Sequence, residues 1–291
     1  MKITVLNIDQ FKNSKVLKDV YVNTFSQHIN LNQDLINKPH SHNFYLCVLF
    51  SEGTGTHEID FNSYSINPGK VFFLKPGQTH FWKFDTQPKG FIFFHSQEFY
   101  EMTFVNHRLT NFPFFYSYQN PPVISLKSNH HDLQKKFKDL YQEYVDSEIF
   151  RNLKIVNIIN DIYIDLTREY TSDLDLSNNS HSSYLHILEN FEHLLDQSYD
   201  KQKLPKFYAD KLNISTKHLN RVVKETINKT TNQMISDRVI LEAKRLIVHS
   251  NSSLSNISET LEFSDYAYFS KYFKSKAGIT PTNFKKKYSQ K

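Results

Sequence analysis

Ile257-Ser258-Glu259-Thr260-Leu261-Glu262-Phe263-Ser264-Asp265-Tyr266-Ala267-Tyr268-Phe269-Ser270-Lys271-Tyr272-Phe273-Lys274 reads as two short helices around a tight break. Leu254, Ile257 and Leu261 recur at helical spacing over residues 254–261. The pattern stops at Phe263-Ser264-Asp265, where Ser264 or Asp265 can accept the free N–H groups of a following helix. That second helix is expected to bury Phe269, Tyr272 and Phe273 and to leave Tyr266, Ala267, Ser270 and Lys271 on its other face. A face of this kind fits the major groove of double-stranded DNA. Thr280-Pro281 then starts a further helix, because proline suits the first helical turn.

The same logic appears upstream. Phe207, Tyr208, Ala209 and Leu212 form a short apolar stripe, Asn213-Ile214 turns, and Ser215 or Thr216 caps a second helix. On that helix Leu219, Val222 and Val223 point inward, while Lys217, Asn220 and Arg221 share the outward face. Between the two units, residues 233–249 read as a long amphipathic helix carrying Ile235, Val239, Ala243, Leu246 and Ile247. A single charged helix face is usually only solvated; two such units in tandem point to DNA.

Residues 184–288 resemble the DNA-binding domain of AraC/XylS-type transcriptional regulators. The resemblance is carried by Leu241-Glu242-Ala243-Lys244-Arg245-Leu246-Ile247, by residues 263–274, and by Gly278-Ile279-Thr280-Pro281. It implies base contacts from Lys217, Asn220, Arg221, Tyr266, Ala267, Ser270 and Lys271, and RNA polymerase as a further partner. Three positions depart from the family pattern: Glu262 and Asn228 replace glycines, and Ser258 replaces a small alanine. Asn tolerates left-handed backbone. Glu262 must either keep φ negative or carry strain.

Charge is partitioned along the chain. From Tyr184 onward there are 18 Lys and Arg against 11 Asp and Glu, a net of +7. The whole chain has 35 against 30, which leaves 17 against 19, a net of −2, for residues 1–183. The positive charge is confined to the part expected to meet phosphates, where counterion release drives binding.

At 291 residues the chain is expected to hold about two domains. No apolar run is long enough to span a membrane, and Met1-Lys2-Ile3 leads into no signal-peptide core. The lone cysteine, Cys47, can form no internal disulfide, so a cytoplasmic location is expected. Within residues 44–50 this thiol reads as a core group.

The N-terminal part reads as β-structure. Residues 44–50, 57–61, 71–74, 81–84 and 91–94 are strand-like, separated by turns at Gly53 and Gly55, Asn67-Pro68-Gly69 and Pro76-Gly77. Short strands at this spacing predict a small barrel or jelly roll. His40-Ser41-His42 and residues 69–80 resemble the two motifs of a cupin, the sensor domain commonly fused to AraC-type DNA-binding domains. The fold class expected is therefore a multidomain chain: an N-terminal all-β cupin-like barrel with a helical hairpin, and a C-terminal all-α tandem helix-turn-helix domain.

Cupin enzymes hold a metal with histidines and a glutamate. Here the glutamate position falls on Leu46 or Cys47. No bound metal, no cofactor and no catalytic residue are therefore expected, although a site of His40, His42 and His80 stays open. The alternative to a regulator is a cupin-type metalloenzyme with an accessory helical domain. His40, His42, Tyr45, His80 and Trp82 are the candidates to bind a small-molecule effector, a sugar by resemblance; for Trp82 a core role is equally open.

Residues 130–170 turn helical. Leu133, Phe137, Leu140, Tyr141 and Tyr144 form one apolar stripe, and Ile155, Ile158, Ile159, Ile162 and Leu166 another. Such stripes are commonly core, yet the resemblance implies that these helices also make a homodimer contact. On that view Leu140→Glu uncouples effector from DNA binding. Residues 172–183 are polar and read as a flexible linker. The expected organisation is residues 1–171 as effector-binding and dimerisation domain, the linker, and residues 184–291 as DNA-binding domain.

Overall fold

The computed structural model describes residues 4–11, 17, 19–36, 38–104, 108–116, 120–126, 131–146, 148–171 and 179–289. Two compact units meet in sequence at Leu174 and Asp175.

Among the described residues the N-terminal unit contains ten strands: β1 (Thr4–Leu6), β2 (Val20–Thr24), β3 (His40–His42), β4 (Tyr45–Glu52), β5 (Gly55–Ile59), β6 (Asn62–Ile66), β7 (Lys70–Leu74), β8 (His80–Phe84), β9 (Lys89–His95) and β10 (Val123–Ser125). Among the described residues they do not close a barrel. They form two five-stranded sheets, ordered β1-β3-β8-β5-β6 and β10-β7-β4-β9-β2. The expected cupin-like fold is thus built as two sheets rather than as a closed barrel. Helix α1 (Phe25–Ile36), which the sequence did not announce, follows β2.

The second sheet is buried on both faces, so β4 is an unbroken buried run from Tyr45 to Phe50 rather than an alternating one. Its register sorts the side chains. Leu46 pairs with Leu74 and Phe94, and Val48 with Phe72 and Ile92; all six lie in one core cluster with Trp82 and Ile59 of the first sheet. Cys47 pairs with Phe73 and Phe93, and these join the cluster built against α4 (His131–Val145) and α5 (Arg151–Tyr170). Cys47 is fully buried, and that burial pushes its thiol pKa up, as expected of a core group.

The expected helical stripes belong largely to this second core. Leu133, Phe137, Leu140, Tyr144, Ile155, Ile159, Ile162 and Leu166 are all buried there. Leu140 is 0% exposed, so a charge at that position would break the core rather than report on coupling. Short helices α2 (Gln97–Glu101) and α3 (Pro113–Tyr116) complete the unit.

The C-terminal unit is all helix: α6 (Asn179–Ser198), α7 (Pro205–Lys211), α8 (Thr216–Ile227), α9 (Thr231–His249), α10 (Leu254–Thr260), α11 (Tyr266–Ala277) and α12 (Pro281–Ser289). Of the expected linker, residues 172–178 lie outside the described residues, and the backbone from Asn179 is already helical. Once Leu188, Phe191 and Leu195 bury one face of α6, extending the helix N-terminally adds a hydrogen bond per residue at little cost, even through polar residues.

Candidate nucleic-acid interface and candidate effector site

The two helix-turn-helix units of the C-terminal body repeat the same local construction. In the first, α7 begins with Pro205 in its first turn and ends at Asn213, φ 55°. Ile214 N–H donates to Ala209 O at 3.0 Å to close the turn. In the second, α10 ends at Glu262, φ 48°, and Phe263 N–H donates to Ser258 O at 3.0 Å. Both are left-handed helix terminations of the Schellman kind. Glu262 thus takes the strained course of the two open to it. Ser258 occupies the place of Ala209 and is 2% exposed; its hydroxyl is satisfied by donating to Asp265 O.

Each second helix has a side-chain cap. Ser215 Oγ accepts from His218 N at 3.1 Å, and Asp265 Oδ1 accepts from Tyr268 N at 2.7 Å. These resolve the two alternatives at each cap in favour of Ser215 and Asp265. Asn228 ends α8 in the left-handed region at φ 53°, as a residue replacing glycine must. Helix α9 joins the units as a buried spine through Ile235, Val239, Ala243 and Ile247.

The outward faces follow. On α8, Lys217 and Arg221 are exposed, and Asn220 is half-buried with its Oδ1 accepting from Thr231 N–H at 3.1 Å. Asn220 therefore also ties α8 to the start of α9. On α11, Ala267 and Lys271 are exposed, while Tyr266 and Ser270 are half-buried at the margin of that face. Tyr268, 54% exposed, joins the outward face and was not anticipated. Tyr272, expected to be buried, is only partly so. Helical geometry explains both: with Phe269 and Phe273 fixing the inward direction, position 268 points away from it and 272 lies at the flank.

In the N-terminal unit the register brings four of the five candidate ligand residues together. His40 pairs with His80 across β3 and β8, and Trp82 follows two residues on, on the same face. Ring centres are 4.4 Å apart for His40 and His80, 5.2 Å for His42 and His80, and 4.6 Å for His80 and Trp82. Tyr45 does not join them. It lies on the other face of the second sheet, stacked on His95 and edge-on to Phe115. A one-residue shift in strand register inverts such an assignment.

Two histidines complete the cluster. His57 on β5 pairs with Trp82, and its Nε2 lies 3.0 Å from His80 Nδ1. His28 on α1 meets Tyr21 Oη at 3.1 Å and the Trp82 ring at 6.2 Å. Burial holds all five imidazoles below the usual histidine range, to about 3 for His28 and His42, and repulsion from neighbouring imidazoles adds to the effect at His28, His42, His57 and His80. They are neutral. His40 and His42 donate from Nδ1 to Lys38 O and Phe44 O, which leaves each Nε2 with its lone pair. His42 Nε2, His57 Nδ1, His80 Nε2 and Trp82 Nε1 are buried without a hydrogen-bond partner among the described residues. An unmet buried polar atom costs about 1–3 kcal/mol, and a polar guest that met these atoms would relieve that cost.

The donor set is not that of a catalytic cupin. Leu46 faces the inter-sheet core where a glutamate is required, and Cys47 faces the opposite way. Among the described residues no three His, Cys, Asp or Glu side chains are arranged to hold a metal ion.

Residues 26–149 match a family model described as an AraC-like ligand binding domain, and residues 208–287 match a helix-turn-helix domain model. The HTH-type transcriptional activator RhaR of Mannheimia succiniciproducens is 22% identical over 255 residues, covering 87% of this chain and 88% of the relative. The arabinose operon regulatory protein of Escherichia coli K12 is 19% identical over 256 residues, covering 86% and 83%. The Msm operon regulatory protein of Streptococcus mutans is 28% identical over 115 residues, covering 40% of each.

Proposed function

We propose that the chain is an AraC-family DNA-binding transcriptional regulator that activates transcription when a small, neutral, polar effector occupies its sensor unit. The observation that carries the effector reading is the set of unpartnered nitrogens on His42, His57, His80 and Trp82 between the sheets. The groups gathered there are imidazoles and an indole rather than carboxylates or ammonium groups, which suits hydroxyl and carbonyl oxygens and favours a sugar or sugar derivative. The indole N–H needs an acceptor, His42 Nε2 can only accept, and of the free nitrogens on the hydrogen-bonded His57 and His80 one donates and the other accepts. Relatives named for arabinose and Rha-type regulation support the same class.

Lys217, Arg221, Ala267, Tyr268 and Lys271, with Tyr266, Ser270 and Asn220 at the margins, are the residues assigned to DNA. The chain acts without catalysis, in keeping with relatives that are regulators. Among the described residues no helix is long and apolar enough to cross a membrane. A homodimer through the sensor unit is part of the reading. Its support is the exposed apolar side chains Val145, Ile149, Phe150, Leu153 and Ile164 at and after the α4–α5 turn, not the buried stripes. RNA polymerase is the further partner.

An effector changes DNA affinity only if it binds the DNA-competent and incompetent states unequally. The test is calorimetric titration of the full chain with a panel of monosaccharides, paired with DNA affinity with and without each sugar. A sugar that binds and shifts DNA affinity, with both effects lost in His80→Leu, supports the reading. Sugar-independent DNA binding across the panel, together with no heat of binding, contradicts it.

A further inference from the structure

Arg221 is not a free arginine on the first recognition helix. Its Nη2 donates to Nδ1 of His218, one turn earlier, at 2.8 Å. The guanidinium carbon lies 5.8 Å from the ring centre of Tyr184 on α6, and Tyr184 meets the His218 ring edge-on at 5.8 Å. A guanidinium carries only donors, so His218 must present a lone pair at Nδ1 and keep its hydrogen on Nε2. The arginine is thus held between an acceptor and an aromatic ring.

An exposed arginine samples many rotamers and loses that freedom when it binds. Holding it beforehand removes part of the cost. Tyr184 is on a well-anchored element: Leu188, Phe191 and Leu195 are buried, and Asp196 on α6 pairs with Arg238 on α9 at 2.7 Å. Helix α6 also lies outside the span matched by the helix-turn-helix family model.

We infer that His218 and Tyr184 are positioning residues that pre-orient the Arg221 guanidinium for the major groove, so that sequence reading by α8 depends on α6. The inference rests on the assignment of Arg221 to a base contact. His218 and Tyr184 act through Arg221 and make no base contact of their own.

The probe is a duplex enriched from a random-sequence pool by the full-length parent chain, compared with a scrambled duplex at fixed salt. His218→Ala is expected to weaken specific binding about fivefold, within the range of coupled neighbours, with little change on scrambled DNA. His218→Asn, which offers an oxygen near the lost Nδ1, restores most of it. Tyr184→Phe keeps the ring and binds as the parent does; Tyr184→Leu loses affinity as His218→Ala does. In an Arg221→Ala background neither His218→Ala nor Tyr184→Leu causes a further loss. An undiminished loss in that background, or no loss in the parent, overturns the inference while leaving Arg221 as a base contact. If Arg221→Ala itself weakens specific and scrambled DNA equally, the underlying assignment falls and the inference with it. Thermal melting of each variant separates these results from misfolding.

Discussion

The ammonium of Lys203 donates to the carbonyl of Leu261 at 2.7 Å, although 58 residues separate them in sequence. The same group donates to Asp200 O at 2.6 Å and lies 4.7 Å from the ring centre of Phe263. Lys203 precedes α7, and Leu261 and Phe263 form the turn between α10 and α11. One side chain therefore ties the approach to the first helix-turn-helix to the turn of the second. It meets the C-terminal end of α10, where carbonyls are otherwise unpaired and the helix dipole favours a cation.

Lys203→Met keeps the aliphatic stem and removes the donors. A hydrogen bond from a charged group is worth about 1.5–3 kcal/mol, so the C-terminal unit should lose stability of that order. Thermal melting measures it. DNA affinity should fall with it, because the second unit loses its fixed position; unchanged melting and affinity would show that water replaces the contact without loss.

Glu262 sits at φ 48° with its side chain exposed. Glycine adopts that backbone without the penalty a Cβ imposes, about 1 kcal/mol. Glu262→Gly should therefore raise the melting temperature by roughly 4 °C for a unit of this size. A lower melting temperature would mean that the added freedom of the unfolded chain outweighs the relief of strain.

Stability should depend on pH through the buried imidazoles. His28 and His42 are held at about 3 and His95 at about 4, each by burial, against an ordinary 6.5. Below pH 6.5 the unfolded chain takes up protons that the folded chain refuses. The contribution of each histidine is thus complete above pH 6.5 and is lost as pH falls towards its folded value, at about 1.4 kcal/mol per pH unit once protonation of the unfolded chain is complete. Denaturant unfolding at several pH values should show a steep loss between pH 6 and 4. His42→Gln should flatten the slope by about one proton; a slope unchanged by that substitution contradicts the burial argument.

Arg221→Ala should weaken binding to the selected duplex at least about tenfold and relax base preference, since one well-paired side chain is worth about 1–3 kcal/mol of discrimination. Gel shifts on specific and scrambled DNA at one salt concentration measure this. Equal losses on both would reduce Arg221 to a phosphate contact.

The helix-turn-helix units were legible because their signals are local. Caps, breaks and apolar spacing lie within a few residues of one another, and Ser215, Asp265 and Gly278 do what their chemistry suggests. The histidine–tryptophan cluster was legible only in part. His40, His42 and His80 carry motif spacing, but His57 and His28 are isolated histidines whose role depends on strand pairing and on α1. Alternation at His57-Glu58-Ile59 was the available signal, since Glu58 marks the outward face. Tyr45 is separated from the other candidates only by the structure, because β4 is buried on both faces and an unbroken apolar run holds no parity. The helical stripes had the same difficulty: burial against a sheet and burial against a second chain look alike in sequence.

The central claim is that α8 and α11 read DNA together from one rigid body. Hydroxyl-radical footprinting of the full chain on its selected duplex tests this directly. Two recognition helices joined by α9 should protect two successive major grooves on one face, about 34 Å apart, within an asymmetric site of roughly two turns. Arg221→Ala should weaken protection in one groove, and Lys271→Ala in the next. Protection of a single groove per chain, lost equally with either substitution, would contradict the account.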